Sequence, residues 1–207
     1  RQAGGADGAS PATWPCGLPA QQPLWVDYAD GSVPFWQSVF ARPGVVGAAA
    51  NLIVPPQLRQ AGAKTVFFDL NFHVRMGTPS KPVDASTIQA KADTVFNAAV
   101  KSSDCPQPVI TLNELAGGQT PTPWTPTIAQ YRANVLAFVQ RLAERGAHPV
   151  LLVANSPFTG EKAADDWWRQ VADVSDVVLE VYFGGPSLAK QGAAAASKRV
   201  RAAMRSR

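Results

Sequence analysis

The sequence predicts an α/β fold, a TIM-barrel-like (β/α) architecture with five or six strands, fewer than the eight of a closed barrel. Short, almost continuously apolar runs alternate with longer helical stretches, as in parallel βαβ units. The first strand–helix loops lack the glycine-rich motifs that cradle phosphates in nucleotide-binding open sheets. Polar residues also follow several strands, where a barrel gathers its site. An open-sheet α/β protein remains the alternative.

The composition fits one domain with a sizeable core. The chain has 207 residues, of which 46% are hydrophobic and 16% charged, so global disorder is excluded. Residues 1–22 are rich in Gly, Ala, Pro and Gln without apolar periodicity, and we expect a flexible leader there, held in place only at Cys16 if that residue is bridged. Residues 23–207 form the predicted partial barrel domain.

The six predicted strands are rich in β-branched and aromatic residues, which indicates burial on both faces. They cover residues 24–28, 44–49, 64–72, 108–115, 149–155 and 176–183. The helical stretches between and after them cover residues 55–63, 84–103, 127–146, 161–175 and 187–207. Because the last helix has no strand after it, we expect an incomplete barrel whose open edges favour self-association.

The charge pattern argues against nucleic acid as a partner. The net charge is +4, but five basic residues crowd the last ten positions, as on the solvated face of a terminal helix. No apolar run approaches the ~20 residues that span a bilayer, so no membrane span is expected.

The two cysteines, Cys16 and Cys105, do not form a metal motif, and His73 lies far from His148 in the sequence. We therefore expect neither metal nor cofactor. The composition suits an exported protein with one disulfide, although two separate buried thiols are the alternative. Both cysteines precede strands, so a bridge would lie at the end of the barrel away from its mouth.

The segment 108–118 carries the best catalytic candidate, Glu114, directly after Asn113. Strand alternation places Glu114 on the same face as Ile110 and Leu112. A polar pair at the end of a buried strand is costly unless it faces a wet, functional mouth. The alternative is that Glu114 caps a following helix or pairs with an arginine such as Arg132.

The Asn113–Glu114 pair at a strand end resembles that of the large clan of retaining (β/α)-barrel glycoside hydrolases. The resemblance implies that Glu114 is the acid/base and that Asn113 holds a sugar hydroxyl. Such cleavage also needs a second carboxylate. In the clan the nucleophile lies three strands after the acid, whereas Glu180 lies only two strands after Glu114. Glu180 is therefore a supporting residue, or the nucleophile lies outside this sequence.

Four further residues are candidates for substrate binding. Asp69 and Asn71 share a predicted inward parity with Thr65 and Phe67 and could grip sugar hydroxyls, or they could form an Asx turn or a helix cap. Trp124, in a proline-rich loop, could stack on a sugar ring or serve ordinary packing. Tyr182 is a plausible neighbour of Glu180.

The wider pattern of residues 44–207 also resembles uncharacterised secreted proteins of high-GC actinobacteria. Together these features predict an extracellular glycoside hydrolase-like protein that acts on polysaccharide. The alternative is a non-catalytic carbohydrate-binding or cell-wall-associated barrel.

Overall fold

The computed structural model describes residues 13–19, 24–27, 41–49, 54–115, 126–153, 162–179 and 185–205. In these ranges the strands are β1 (Thr13–Trp14), β2 (Leu18–Pro19), β3 (Leu24–Asp27), β4 (Val46–Ala49), β5 (Lys64–Asp69), β6 (Gly77–Thr78), β7 (Lys81–Pro82), β8 (Val109–Leu112), β9 (His148–Val153) and β10 (Asp176–Leu179). The helices are α1 (Val54–Gln60), α2 (Phe72–Met76), α3 (Ile88–Ser103), α4 (Pro126–Glu144), α5 (Lys162–Ala172) and α6 (Gly185–Arg205).

The main sheet has six parallel strands in the order β3-β4-β5-β8-β9-β10, which is also their order along the chain. A doubly wound sheet would reverse its strand order at a switch point, and this sheet does not. Within the described ranges β3 and β10 each pair with one neighbour, so the ring is open. The predicted TIM-barrel-like, incomplete architecture is confirmed.

The helices of the βα units cover one face of the sheet. Phe67, Ile110 and Leu151 on that face share a core cluster with apolar side chains of α3, α4 and α5. The opposite face, named the concave face because it would line the interior of a barrel, carries a second cluster, to which none of the described helices contributes. Its members are Leu18, Val46, Ala48, Val66, Phe68, Val109, Val150 and Leu152. One-sided coverage is the arrangement of a barrel wall.

The helices form where apolar residues repeat at helical spacing. In α4 the stripe of Tyr131, Val135, Phe138 and Leu142 is fully buried. Burying each large apolar side chain of this kind contributes roughly 1.5–3 kcal/mol. Close packing also governs the contact between β4 and α1, where a Cβ added at Gly47 would lie 3.1 Å from a methyl group of Leu58. That glycine lets α1 approach the sheet.

A short helix and a hairpin stand where the sequence predicted the end of a strand and a loop. The strand predicted to reach residue 72 ends at Asp69, and α2 with the β6–β7 hairpin follows it. Gly77 has a φ of +75°, and a Cβ there would lie 2.5 Å from the backbone oxygen of Lys81. Only glycine fits that close approach.

The predicted disulfide is confirmed, since Cys16 is bonded to Cys105 with their Cα atoms 6.1 Å apart. Cys16 lies in the turn between β1 and β2, and Leu18 beyond it is buried against the concave-face cluster. The bridge thus holds this hairpin against the amino-terminal end of the sheet. The proposed domain boundary at residue 22 stays a prediction.

None of the helices in the described ranges combines the length and apolar character that a bilayer crossing requires.

Candidate functional site

The polar residues of interest lie at or just after the carboxyl ends of β5 and β8, which are neighbours in the sheet. Asp69 is in register with Leu112 at the end of this strand pair. One residue further, the Asn113 backbone N–H donates to the Asp69 backbone oxygen at 3.2 Å. The ends of the two strands are therefore joined at the carboxyl edge of the sheet, where a barrel builds its site.

Asp69 is engaged within the protein. Its side chain is 3% exposed, and Arg75 donates to both carboxylate oxygens, from Nε at 2.8 Å and from Nη2 at 3.2 Å. The Asn71 backbone N–H also donates to Oδ1 at 3.3 Å, forming an Asx turn. This turn ends β5 because it diverts the chain into α2. The two hydrogen bonds from Arg75 therefore compensate the charge of the buried Asp69 carboxylate.

The inward parity predicted for Asp69 was wrong. Phe67, two residues earlier, packs with the helix-side core, whereas Val66 and Phe68 belong to the concave face. A strand buried on both faces gives no alternation by which its inner face can be recognised. Sugar binding by Asp69 and Asn71 stays a prediction. Asn71 is exposed at the start of α2, where its side chain makes no capping hydrogen bond.

Asn113 presents an acceptor atom. The residue is 9% exposed, and its Nδ2 faces the Leu70 backbone oxygen in a long contact of 3.5 Å. A carbonyl oxygen only accepts hydrogen bonds, so the nitrogen of the amide must be the atom turned toward it. The buried Oδ1 has no hydrogen-bond partner among the described residues. A buried acceptor without a donor is costly, and this singles out Asn113 among the residues at this edge of the sheet.

Glu114 lies beyond the end of β8, so strand alternation does not fix the direction of its side chain. It is half-buried. No ion pair joins it to Arg132 or to any other residue that the structure describes. Leu115, directly after it, is fully buried in the helix-side core and anchors the segment. Glu114 therefore lies next to Asn113, on a backbone segment that the buried Leu115 holds in place.

Thr111 is a polar residue of the concave face that sequence reasoning missed. It is fully buried, and its Oγ1 has no hydrogen-bond partner in the described part of the chain. Ile110 and Leu112 face the helices, so Thr111 shares the opposite face with Val109. A threonine inside an otherwise apolar strand was the available signal. It lies two residues before Asn113.

Arg132 on α4 is a second polar residue whose burial the sequence did not predict. Arg132 is fully buried, and its guanidinium carbon lies 5.6 Å from the centre of the Trp167 ring. Beside it, burial raises the pKa of Tyr131 to about 12. The Asn134 side chain donates to the Val83 backbone oxygen at 2.8 Å. These contacts fix α4 against α5 and against the segment that follows β7.

Three predicted site residues, Trp124, Glu180 and Tyr182, lie outside the described residues, and their roles stay predictions. Within the described ranges, no three His, Cys, Asp or Glu side chains are placed to share a metal ion.

A cavity of about 200 Å³ lies at the other end of the sheet, beside the disulfide. Its wall includes Arg59 and Lys64. Arg59 donates to the Thr65 hydroxyl at 3.1 Å and to the Ser102 backbone oxygen. Since Arg59 already joins α1 to the end of α3, its contacts are those of a structural residue.

No protein-family model and no curated protein matches the sequence. Among solved structures, the chain is similar to the xylose isomerase domain protein from Planctomyces limnophilus, with a TM-score of 0.43 and 13% sequence identity. The match covers 76% of this chain and 60% of that one.

Proposed function

We propose that this chain is an extracellular glycoside hydrolase-like protein that binds polysaccharide at the carboxyl ends of β5 and β8. The observation that carries the proposal is the pair of adjacent residues after β8. Asn113 offers a buried acceptor, and Glu114 is a half-buried carboxylate without an ion pair among the described residues. A sugar presents many hydroxyl donors, and a glycosidic oxygen needs a carboxyl group to protonate it.

In this proposal Glu114 is the acid/base and Asn113 binds a sugar hydroxyl. A second carboxylate completes the reaction, at about 5–5.5 Å from Glu114 for retention or about 6.5–9.5 Å for inversion. Glu180 is our candidate for that group or for its support, with Tyr182 beside it. Trp124 would provide a flat apolar surface for a sugar ring. The disulfide supports the extracellular location, because such bonds persist in oxidising compartments.

A non-catalytic carbohydrate-binding protein is the second candidate, and Asp69 favours it. Asp69 is the described carboxylate at the neighbouring strand end, and Arg75 engages both of its oxygens. A carboxylate held in this way is a poor nucleophile and a poor base. If Glu180 does not complete the pair, the site binds sugars without cleaving them.

The deciding experiment compares the native protein with Glu114→Gln on neutral soluble glucans, xylans and mannans. Reducing-end release measures cleavage, and affinity electrophoresis measures binding. Glu144→Gln is the matched control, because Glu144 is exposed on α4 near its far end. If the protein is a hydrolase, the native chain should release reducing ends, and Glu114→Gln should lower that release at least about a hundredfold while binding persists. Retention without release by the native protein identifies a binding protein.

Asn113→Ala separates this site from any other. Binding at the proposed site predicts weaker retention by Asn113→Ala, whichever candidate is right, because the ligand loses an acceptor. Normal retention and normal release by both Glu114→Gln and Asn113→Ala would contradict the proposed site.

A further inference from the structure

Arg75 is linked to Asn113 through Asp69 and Leu70, although no described hydrogen bond joins Arg75 and Asn113 directly. Its guanidinium grips the Asp69 carboxylate at two points. The backbone oxygens of Asp69 and Leu70 in turn accept from the Asn113 backbone N–H and side-chain Nδ2. One ion pair therefore holds the short segment that faces both nitrogen atoms of Asn113.

We infer that Arg75 is a positioning residue that orients the Asn113 amide toward hydroxyl donors, and that the mouth therefore selects neutral hydroxylated glycans over acidic ones. The inference rests on the proposed function for its ligand. With Nδ2 turned to Leu70, the amide atom that has no partner among the described residues is the acceptor Oδ1. An acceptor pairs with a hydroxyl group and repels a carboxylate.

The charges of the described residues at the carboxyl edge of the sheet also favour a neutral ligand. The Asp69 charge is balanced by Arg75, whereas Glu114 has no ion-pair partner among the described residues. A ligand carboxylate or sulfate would therefore lie beside a second acidic group that has no cationic partner among the described residues, and beside an acceptor oxygen. Like charges in a partly desolvated site repel one another strongly enough to decide between ligands.

The first experiment tests the positioning role without any ligand. In a ¹⁵N-labelled protein, the side-chain NH₂ signals of Asn113 are assigned through Asn113→Asp and compared between the native chain and Arg75→Gln. We expect Arg75→Gln to shift these signals and speed their exchange with water. Arg75→Lys, which keeps the charge, should restore them in part.

The control is Arg169→Gln, which removes an exposed ion pair with Asp166 on α5 and should leave the Asn113 signals in place. If Arg75→Gln does not fold, Asp69→Asn tests the same ion pair with a side chain of the same shape. Unchanged Asn113 signals in a folded Arg75→Gln or Asp69→Asn protein would overturn the positioning role.

The second experiment tests the ligand class with matched polymers. Affinity electrophoresis compares hydroxyethyl cellulose with carboxymethyl cellulose, and hydroxyethyl starch with carboxymethyl starch. We expect retention by a neutral member and at least about tenfold weaker retention by its carboxylated partner, the effect of ~1.4 kcal/mol. Glu114→Gln should narrow that difference, and Arg75→Gln should weaken neutral binding about tenfold.

Equal or stronger retention by the carboxylated polymers overturns the inferred ligand class while leaving a carbohydrate site in place. Retention by neither member of either pair, nor by the neutral xylans and mannans above, overturns the proposed function together with the ligand class. The Asn113 signals still decide the role of Arg75 in that case. The two failures are therefore distinguishable.

Discussion

The indole N–H of Trp167 donates to the backbone oxygen of Arg132 at 2.9 Å, and the bond is fully buried between α5 and α4. The guanidinium of the same arginine lies over the Trp167 ring. One tryptophan therefore satisfies a buried polar group and packs against a buried cation. Trp168, the next residue, is equally buried and meets Trp167 edge to face at 4.6 Å between ring centres.

We expect Trp167→Phe to lower the free energy of unfolding by about 2–3 kcal/mol, because it removes a buried hydrogen bond as well as part of a ring. Trp168→Phe, the matched control, removes a similar volume, and the Trp168 indole makes no hydrogen bond to any residue that the structure describes, so this change should cost about 1 kcal/mol less. Urea unfolding followed by circular dichroism measures both. Equal losses would show that the Trp167 hydrogen bond contributes nothing.

The stability contribution of Asp93 should depend on pH. Arg141 on α4 and Arg145 directly after it donate to this carboxylate on α3, and these hydrogen bonds hold the pKa of Asp93 below its ordinary value of 3.8. A lowered pKa in the folded state gives stability that is present above pH 3.8 and is lost as the pH falls through the folded-state value. Asp93→Asn should therefore lower the melting temperature at pH 7.

The difference between native and Asp93→Asn melting temperatures should shrink as the pH falls from 3.8 through the folded-state pKa of Asp93, below which both proteins carry a neutral group at this position. Asp173→Asn, at an exposed carboxylate after α5, is the control and should differ little from the native chain. A gap that stays constant from pH 7 to pH 3 would mean that packing, not charge, accounts for the effect of Asp93.

Tyr131 should behave unlike most buried tyrosines when its hydroxyl is removed. The ring is fully buried, but the hydroxyl has no hydrogen-bond partner in the described part of the chain. Because that group is desolvated without compensation, Tyr131→Phe should cost nothing at pH 7 and could gain up to about 1 kcal/mol. Urea unfolding tests this, and a loss above ~1 kcal/mol would reveal a hydrogen bond.

The same residue should limit stability in alkali. Burial raises the pKa of Tyr131 from 10.0 to about 12. Stability that is complete below pH 10 is then lost as the pH rises toward 12, by up to about 1.4 kcal/mol for each pH unit, since the unfolded chain releases the proton first. Between these values Tyr131→Phe should lose stability more slowly than the native chain. Parallel slopes would place the Tyr131 pKa near 10.

Reduction of the disulfide should destabilise the whole domain. The bridge joins residues 89 positions apart, and closing such a loop in the unfolded chain is worth roughly 4–5 kcal/mol in the chain-entropy model. Urea midpoints with and without a thiol reductant measure the effect. The Cys16→Ser, Cys105→Ser double variant should have the same urea midpoint as the reduced protein, and a reductant should not change that midpoint. Similar midpoints for the oxidised and reduced chains would contradict the prediction.

The sequence predicted the six strands and the barrel-like winding because these depend on long patterns. Near-continuous apolar runs and helical stripes leave little choice about where elements lie, and five predicted helices agree with α1, α3, α4, α5 and α6 to within a few residues at most ends. The disulfide was predictable because a chain with two cysteines allows only one intramolecular pairing.

The details of the site depend on individual side chains, and these the sequence did not specify. β5 ends at Asp69 because of a bond from the Asn71 N–H and an ion pair with Arg75, neither of which periodicity can reveal. The concave face could not be identified because both faces of the strand are apolar. The alternative that Glu114 pairs with Arg132 finds no ion pair between these two described residues, and the buried ring of Trp167 lies beside Arg132.

The position of the bridge also determines how the molecule carries mechanical load. A pull on the chain ahead of Cys16 would pass through the sulfur atoms to Cys105 and then to β8. β3, β4 and β5 lie inside the covalent loop and would bear no tension. β3 is an edge strand of the sheet in the described ranges, and the bridge diverts from it a force applied at that end. Adding a reductant should sharply lower the force at which the sheet yields.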